Sequence, residues 1–165
     1  MKIKSIIVML LYLTCVGCSS IIDDNDEVIE HVQVGDKVPS FSVTVTDGSE
    51  TRTFSTSQLT GETVIVFFNT WCSDCQRELP LLNDYYLQHK ADSGFQMIAI
   101  SRAEGADAVS QFWSEHNLQI PYSAQDDRSI YDLFASSVIP RIYFVSPQGI
   151  ITRIEVEHVN SLRPE

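Results

Sequence analysis

The sequence predicts an α/β domain in which helices cover both faces of a mixed sheet, with a β-hairpin at its N-terminal end. Three observations predict this fold: a strand buried on both faces, a strand–helix–strand unit that starts from it, and an antiparallel pair near the C-terminus. The 165 residues suffice for one ordinary domain, and 44% of them are hydrophobic. A net charge of −11 opposes binding to nucleic acid or to anionic lipid.

Residues 1–17 are predicted to be an export signal. Two lysines lie in the first four residues, and Ile6–Leu13 is an unbroken apolar run that is too short to cross a membrane. Gly17-Cys18 resembles the processing site of bacterial lipoproteins, which implies that Cys18 is lipidated and becomes the mature N-terminus. A plain cleaved signal and an uncleaved anchor are the alternatives.

Residues 18–34 are predicted to be an acidic tether between the membrane and the domain. Carboxylates are frequent here and strong core formers are few, as in a solvated linker. We therefore expect a lipid-anchored protein of the bacterial cell envelope, on the periplasmic face or at the cell surface.

Compact structure is predicted from residue 35 to residue 165, beginning with a hairpin. Val38–Val45 alternates apolar and polar residues, Asp47-Gly48 marks a turn, and Arg52–Phe54 pairs back as a short strand. Thr63–Asn69 is a continuous apolar and β-branched run, which is typical of a strand buried on both faces.

The second half supplies the helices and the remaining strands. Amphipathic spacing predicts helices, and short apolar runs predict strands. The predicted helices are residues 74–90, 104–117 and, in short form, 129–135, and the predicted strands are residues 95–100, 142–145 and 150–154. The last two strands are predicted to form a hairpin that is connected by a turn at Pro147-Gln148-Gly149. A short helical turn is expected after them.

The chemistry is concentrated at Trp71-Cys72-Ser73-Asp74-Cys75, between the central strand and the long helix. Two cysteines at this spacing can close a small disulfide. The free N–H groups and the dipole of a helix N-terminus stabilise a thiolate at Cys72, which makes Cys72 the nucleophile and Cys75 the resolving thiol.

This segment resembles the active site of the thioredoxin fold, and is most similar to the TlpA-like, membrane-anchored thiol-disulfide oxidoreductases, which include reductases of cytochrome c maturation. The resemblance covers about residues 35 to 155 and depends on Trp71–Cys75, on Pro80 in the helix, and on Val138-Ile139-Pro140 before the penultimate strand. It implies a three-layer sandwich, a cis peptide bond at Pro140, and a substrate groove formed by Trp71, Ile139 and Pro140.

The resemblance also implies a role for Glu78, three residues beyond Cys75 on the same helix. A glutamate at this position in related reductases helps to move protons, so Glu78 is expected to accept the Cys75 proton; an exposed helix residue is the alternative. Asp74 adds negative charge beside the Cys72 thiolate and disfavours a strong oxidant.

Electron donation is therefore expected, with Cys72 attacking the disulfide of a protein client and an upstream dithiol recharging the protein. No dissociable cofactor is implied beyond the Cys72–Cys75 disulfide itself. Arg141, beside the predicted cis-proline, suggests a client other than cytochrome c.

Other classes of function remain open at this stage. A zinc site would need two more ligands near the Cys72–Cys75 pair, and the four histidines are scattered singly along the sequence. A purely structural disulfide is disfavoured, because closing so small a loop contributes little to stability. A peroxiredoxin-like peroxidase would share the fold, but the Pro-x-x-x-Thr-x-x-Cys pattern of that class is absent around Cys72. A non-catalytic lipoprotein that binds peptides is the remaining alternative.

Overall fold

The computed structural model describes residues 29–162, so the predicted signal, the predicted lipidation site at Cys18 and most of the predicted tether lie outside the described residues. Within this range no helix combines the length and the apolar character of a membrane span. The strands are β1 (Ser42–Asp47), β2 (Glu50–Ser55), β3 (Thr63–Phe68), β4 (Gln96–Ser101), β5 (Tyr122–Ser123), β6 (Arg141–Val145) and β7 (Ile151–Val156). The helices are α1 (Ser73–His89) and α2 (Ala106–Glu115), with 3₁₀ turns at Tyr131–Leu133 and Asn160–Leu162.

These strands form one mixed sheet in the order β2-β1-β5-β4-β3-β6-β7. Strand β3 is parallel to β4 and antiparallel to β6, and all six of its residues are buried. Its apolar, β-branched composition suits this position, because both of its faces are covered. The predicted α/β class and the central position of this strand are confirmed.

Both α-helices lie against the same face of the sheet. Successive residues of a strand point to opposite faces, so Val64 and Phe68 share a face, and Phe144 joins them because it pairs with Val64. The ring of Trp113 from α2 lies 4.8 Å from that of Phe68, and the ring of Tyr85 from α1 lies 6.4 Å from that of Phe144.

The opposite face is covered by the 3₁₀ turn and by the segment that precedes β1. Phe67 contacts Tyr131 and Phe134, with ring centroids 5.4 and 4.9 Å apart, and Phe41 packs on Phe134. Tyr131 and Phe134 are three residues apart, a spacing that 3₁₀ geometry places on one side of the turn. The predicted short helix is thus a single 3₁₀ turn, and among the described residues no α-helix covers this face.

The N-terminal hairpin joins the sheet through a strand that the sequence did not predict. Strand β1 alternates buried and exposed residues as expected, and its turn contains Gly48 at φ +61°. Strand β5 pairs with Thr46 on one side and with Ala99 on the other. Two residues are too few to show any alternation, which is why β5 escapes a pattern-based prediction.

Residues 29–34, here called the N-terminal strap, pack on the segment that leads into β6. His31 N–H donates to the Phe134 carbonyl at 2.8 Å, and Ser136 N–H donates to the Ile29 carbonyl at 3.1 Å. Glu30 forms an isolated bridge with Ala135. The last part of the predicted tether therefore contacts the domain.

Candidate redox site

Cys72 occupies the N-cap of α1. Its backbone is extended, at φ −80° and ψ 118°, and its Sγ accepts a hydrogen bond from Cys75 N–H at 3.4 Å. The Cys72 carbonyl accepts from Gln76 N–H at 2.9 Å, the first bond of the helix. The sulfur atom that must carry negative charge during thiol exchange thus faces the positive end of the helix dipole.

The two cysteines differ in exposure. Both are free thiols, with Cys72 half-buried and Cys75 fully buried. Burial, with a hydrogen bond to Cys72, raises the pKa of the Cys75 thiol far above its ordinary value, and a hydrogen bond to the Asn69 backbone and the charge of Arg102 offset only part of this rise. A substrate can reach Cys72, whereas Cys75 must lose a proton before it can react.

The segment before β6 brings a peptide carbonyl against the accessible thiol. The Ile139–Pro140 peptide bond is cis, as the family resemblance implies. The Cys72 thiol donates to the Ile139 carbonyl with 3.6 Å between sulfur and oxygen, although the two residues are 67 positions apart. Ile139 and Pro140 are both buried, and their role in a substrate groove stays a prediction.

Trp71 is the most exposed large hydrophobic residue of residues 29–162, with 68% of its surface accessible. Trp71 is therefore not part of the core. An exposed indole next to the nucleophile offers apolar surface to a substrate.

Glu78 lies on the buried face of α1, together with Cys75. Its Oε1 accepts from Arg77 Nε at 2.9 Å and lies 3.5 Å from His158 Nδ1, while its Oε2 accepts from Val159 N–H at 3.1 Å. None of its surface is accessible, so the alternative of an exposed helix glutamate is wrong.

Asp74 does not act as an isolated charge between the cysteines. Its Oδ1 lies 2.7 Å from Arg77 Nη1, the same guanidinium that contacts Glu78. Arg77 therefore offsets part of the repulsion that the sequence predicts between Asp74 and a Cys72 thiolate.

Glu104 is a site residue that the sequence analysis missed. Its carboxylate accepts from Thr70 N–H at 2.7 Å and from the Thr70 hydroxyl, while Asn69 Nδ2 donates to the Arg102 carbonyl at 2.8 Å. Because β3 and β4 are parallel neighbours, the loops after them meet at one edge of the sheet. The sequence feature that could have indicated this contact is an acidic residue shortly after the end of β4.

Arg141 cannot itself contact a client, and the expectation of a client other than cytochrome c stays a prediction. Its side chain is fully buried, so no client can touch it. A guanidinium removed from water needs a partner, and here the partner is the carboxylate of Glu30 in the N-terminal strap.

Within residues 29–162 no three His, Cys, Asp or Glu side chains are grouped so as to hold a metal ion. The four histidines, His31, His89, His116 and His158, lie in separate parts of the structure and bond mainly to neighbouring backbone and side-chain groups.

The comparisons with known proteins agree with this geometry. The model of the AhpC/TSA family matches residues 34–154. A thiol-disulfide oxidoreductase, ResA, of Oceanobacillus iheyensis is 28% identical over 92% of this chain and 78% of its own length, and ResA of Bacillus subtilis is 26% identical over 76% and 68%.

Solved structures support the fold. A candidate protein disulfide isomerase from Bacteroides thetaiotaomicron has a TM-score of 0.75 at 24% identity, covering 82% of this chain and 86% of its own. The thioredoxin domain of a thiol-disulfide oxidoreductase from Bacteroides vulgatus has a TM-score of 0.62 at 22% identity, covering 76% and 89%.

Proposed function

The chain belongs to the AhpC/TSA family and is a thiol-disulfide oxidoreductase, and from this premise we propose that it reduces protein disulfides in the bacterial cell envelope. The accessible Cys72 next to the buried Cys75 is the observation that carries the proposal.

Electron donation by the reduced Cys72–Cys75 pair is the proposed direction. A strong oxidant such as DsbA owes its high potential to a stabilised reduced form. Here Asp74 places a negative charge between the two cysteines, which opposes a thiolate at Cys72, and Arg77 offsets part of that charge. Burial raises the pKa of the Cys75 thiol, so the second sulfur supplies no stabilised thiolate either. The pair is therefore expected to have a low potential and to donate electrons.

The reaction takes two thiol exchanges. The Cys72 thiolate attacks one sulfur of the client disulfide, which forms a mixed disulfide and releases the other client sulfur as a thiolate. Cys75 then loses its proton and attacks Cys72 Sγ, which closes the Cys72–Cys75 disulfide and releases the second client thiolate. Two electrons pass to the client, and its two thiolates take up protons.

Glu78 is the proposed acceptor of the Cys75 proton. The two residues are three positions apart on the buried face of α1, where side chains at this spacing are neighbours. The contacts from Arg77 and Val159 fix the carboxylate in one orientation. A fixed base is needed at this point because burial keeps the Cys75 thiol protonated.

The proposed partners follow from this cycle. A disulfide-bearing protein is the client, with Trp71, Ile139 and Pro140 forming its groove, and a dithiol donor regenerates the reduced pair. No dissociable cofactor takes part. The predicted export signal and lipidation at Cys18 support an anchor in the membrane, on the periplasmic face or at the cell surface.

The reduction potential of the Cys72–Cys75 pair tests the proposal. We would measure it on the full chain in detergent, with Cys15→Ser and Cys18→Ser, so that only the active-site pair titrates in dithiol buffers of graded potential. A potential near or below that of thioredoxin, roughly −270 mV, is expected. A potential near about −120 mV, which is that of DsbA, would mark an oxidant and overturn the proposal.

A further inference from the structure

Arg141 is the largest fully buried side chain of residues 29–162 and directly follows the cis-proline. Its Nε lies 2.8 Å from the Ser137 carbonyl oxygen and 3.0 Å from that of Val138. These carbonyls belong to the two residues before Ile139, whose own carbonyl accepts from the Cys72 thiol. The buried guanidinium therefore fixes the backbone of the segment that carries the predicted groove residues Ile139 and Pro140.

Glu30 holds the guanidinium in turn. Its Oε1 pairs with Arg141 Nη1, and its Oε2 accepts from the Tyr143 hydroxyl at 2.9 Å. An ionised side chain taken out of water is stable only when it is paired and hydrogen-bonded, and Glu30 supplies the carboxylate.

The strap is fixed to the same segment along its length. Ile29 N–H donates to Ser137 Oγ at 3.0 Å, and the two ring nitrogens of His31 lie 2.8 Å from the Asp132 carbonyl oxygen and 2.6 Å from Ser136 Oγ. Val138, inside this segment, adopts φ +60°, which a β-branched residue rarely does without external support.

We propose that Glu30 and Arg141 are positioning residues of the substrate groove: the strap, through this buried ion pair, sets the conformation of Ser137–Pro140 against Cys72. The inference deepens the proposed function and rests on it. It assigns a role in client binding to two residues that touch neither the thiols nor the client.

Two probes that share one leaving group separate groove geometry from thiol reactivity. A synthetic peptide whose single cysteine is capped with thionitrobenzoate must lie in the groove, whereas dithiobis(nitrobenzoate) needs only an accessible Cys72. Both release the same coloured thiolate, so single-turnover rates of the reduced protein are directly comparable. The full chain in detergent with Cys15→Ser and Cys18→Ser is the background for every variant.

The variant Glu30→Ala is expected to raise the half-saturating peptide concentration about tenfold or more, because a small displacement of a binding segment is costly. Its rate with dithiobis(nitrobenzoate) should stay within about twofold of the parent rate, since this probe needs only an accessible Cys72 and the helix N-terminus that faces its sulfur is unchanged. Glu50→Gln, which removes one exposed charge from β2, is the matched control and should alter neither rate.

A second variant distinguishes positioning from stability. Replacing both partners, Glu30→Met with Arg141→Met, removes the buried charge and should restore much of the urea midpoint that Glu30→Ala loses. Peptide binding should stay weak, because the Ser137 and Val138 carbonyls have lost the Arg141 Nε donor and keep only the Tyr131 hydroxyl. Recovery of peptide binding together with stability would overturn the inference.

The remaining outcomes are equally decisive. Unchanged peptide saturation in Glu30→Ala, or an equal loss of rate with both probes, would show that the ion pair does not set the groove. A parent protein that reacts with neither probe would refute the proposed function itself, which is a different result.

Discussion

Cys72 and Cys75 lie one helical turn apart, and their unequal exposure assigns them to different steps. With Cys75→Ser, the attack by Cys72 should proceed and the client should remain attached as a mixed disulfide, because no thiol is left to release it. Intact mass under non-reducing conditions should show the adduct on Cys72. Cys72→Ser is the matched variant, and an adduct formed on its buried Cys75 would contradict the assignment.

The Glu78 carboxylate offers a second prediction at this scale. Glu78→Gln keeps the shape of the side chain but removes its capacity to take a proton, so the second exchange should slow by about 100-fold while the first is unaffected. Acid-quenched mass spectrometry would then show the mixed disulfide accumulating.

Glu115→Gln, an exposed charge on α2, is the control for Glu78→Gln. Slowing of the first exchange instead of the second would argue that Glu78 acts on Cys72 rather than on Cys75.

Arg141 shows where sequence reasoning fails for single residues. A charged residue next to a groove is ordinarily exposed, and the predicted buried strand begins only after it, at Ile142. Its partner Glu30 lies in a segment whose acidic composition predicts solvated linker. Only the fold brings the two together, whereas the cysteine pair could be recognised because all of its chemistry is local.

Among the elements, the loop between β3 and α1 is anchored by Glu104 at the start of the α2 segment. Removing this carboxylate in Glu104→Ala would leave Thr70 N–H without its acceptor. We expect a loss of about 1–3 kcal/mol in the free energy of unfolding. Urea denaturation would measure it, with Asp84→Ala on the exposed side of α1 as control. Equal midpoints for the two variants would show that the contact is not stabilising.

Most elements of this fold are long enough for their periodicity to predict them. The buried run of β3, the amphipathic face of α1 and the Asp47-Gly48 turn were all visible in the sequence, and the structure moves their bounds by one or two residues. Strand β5 was not predicted, and the 3₁₀ turn at Tyr131–Leu133 was predicted as a longer helix. Both are too short for a repeat, and tertiary contacts alone stabilise them.

For the molecule as a whole, the redox state and the stability of the fold are linked through Cys75. Burial raises the pKa of this thiol above its ordinary value of 9.0, so below pH 9 the thiol is protonated in both the folded and the unfolded chain. Above pH 9 the unfolded chain loses the proton first, so the reduced form should lose stability as pH rises. The disulfide form has no such thiol to titrate.

Parallel urea unfolding of the two redox forms between neutral pH and pH 10 or so would measure this effect. The gap in unfolding free energy should widen above pH 9 in favour of the disulfide form. Buried tyrosines such as Tyr143, whose pKa is also raised, are common to both forms and cancel. Cys75→Ala in the reduced state should lack the extra slope; if the slope persists there, another group is responsible.

The hydrogen bond between Glu30 and Tyr143 spans 113 positions of the chain. The first described residues thus hold a segment, Ser137–Pro140, that is synthesised more than a hundred residues later, and the redox site cannot be finished until β6 has formed. A fragment cut at Gly35, where the sequence alone would start the domain, would contain both cysteines and every strand. It would nevertheless leave the Arg141 cation without its anion, so the choice of first residue decides whether such a fragment keeps an intact groove.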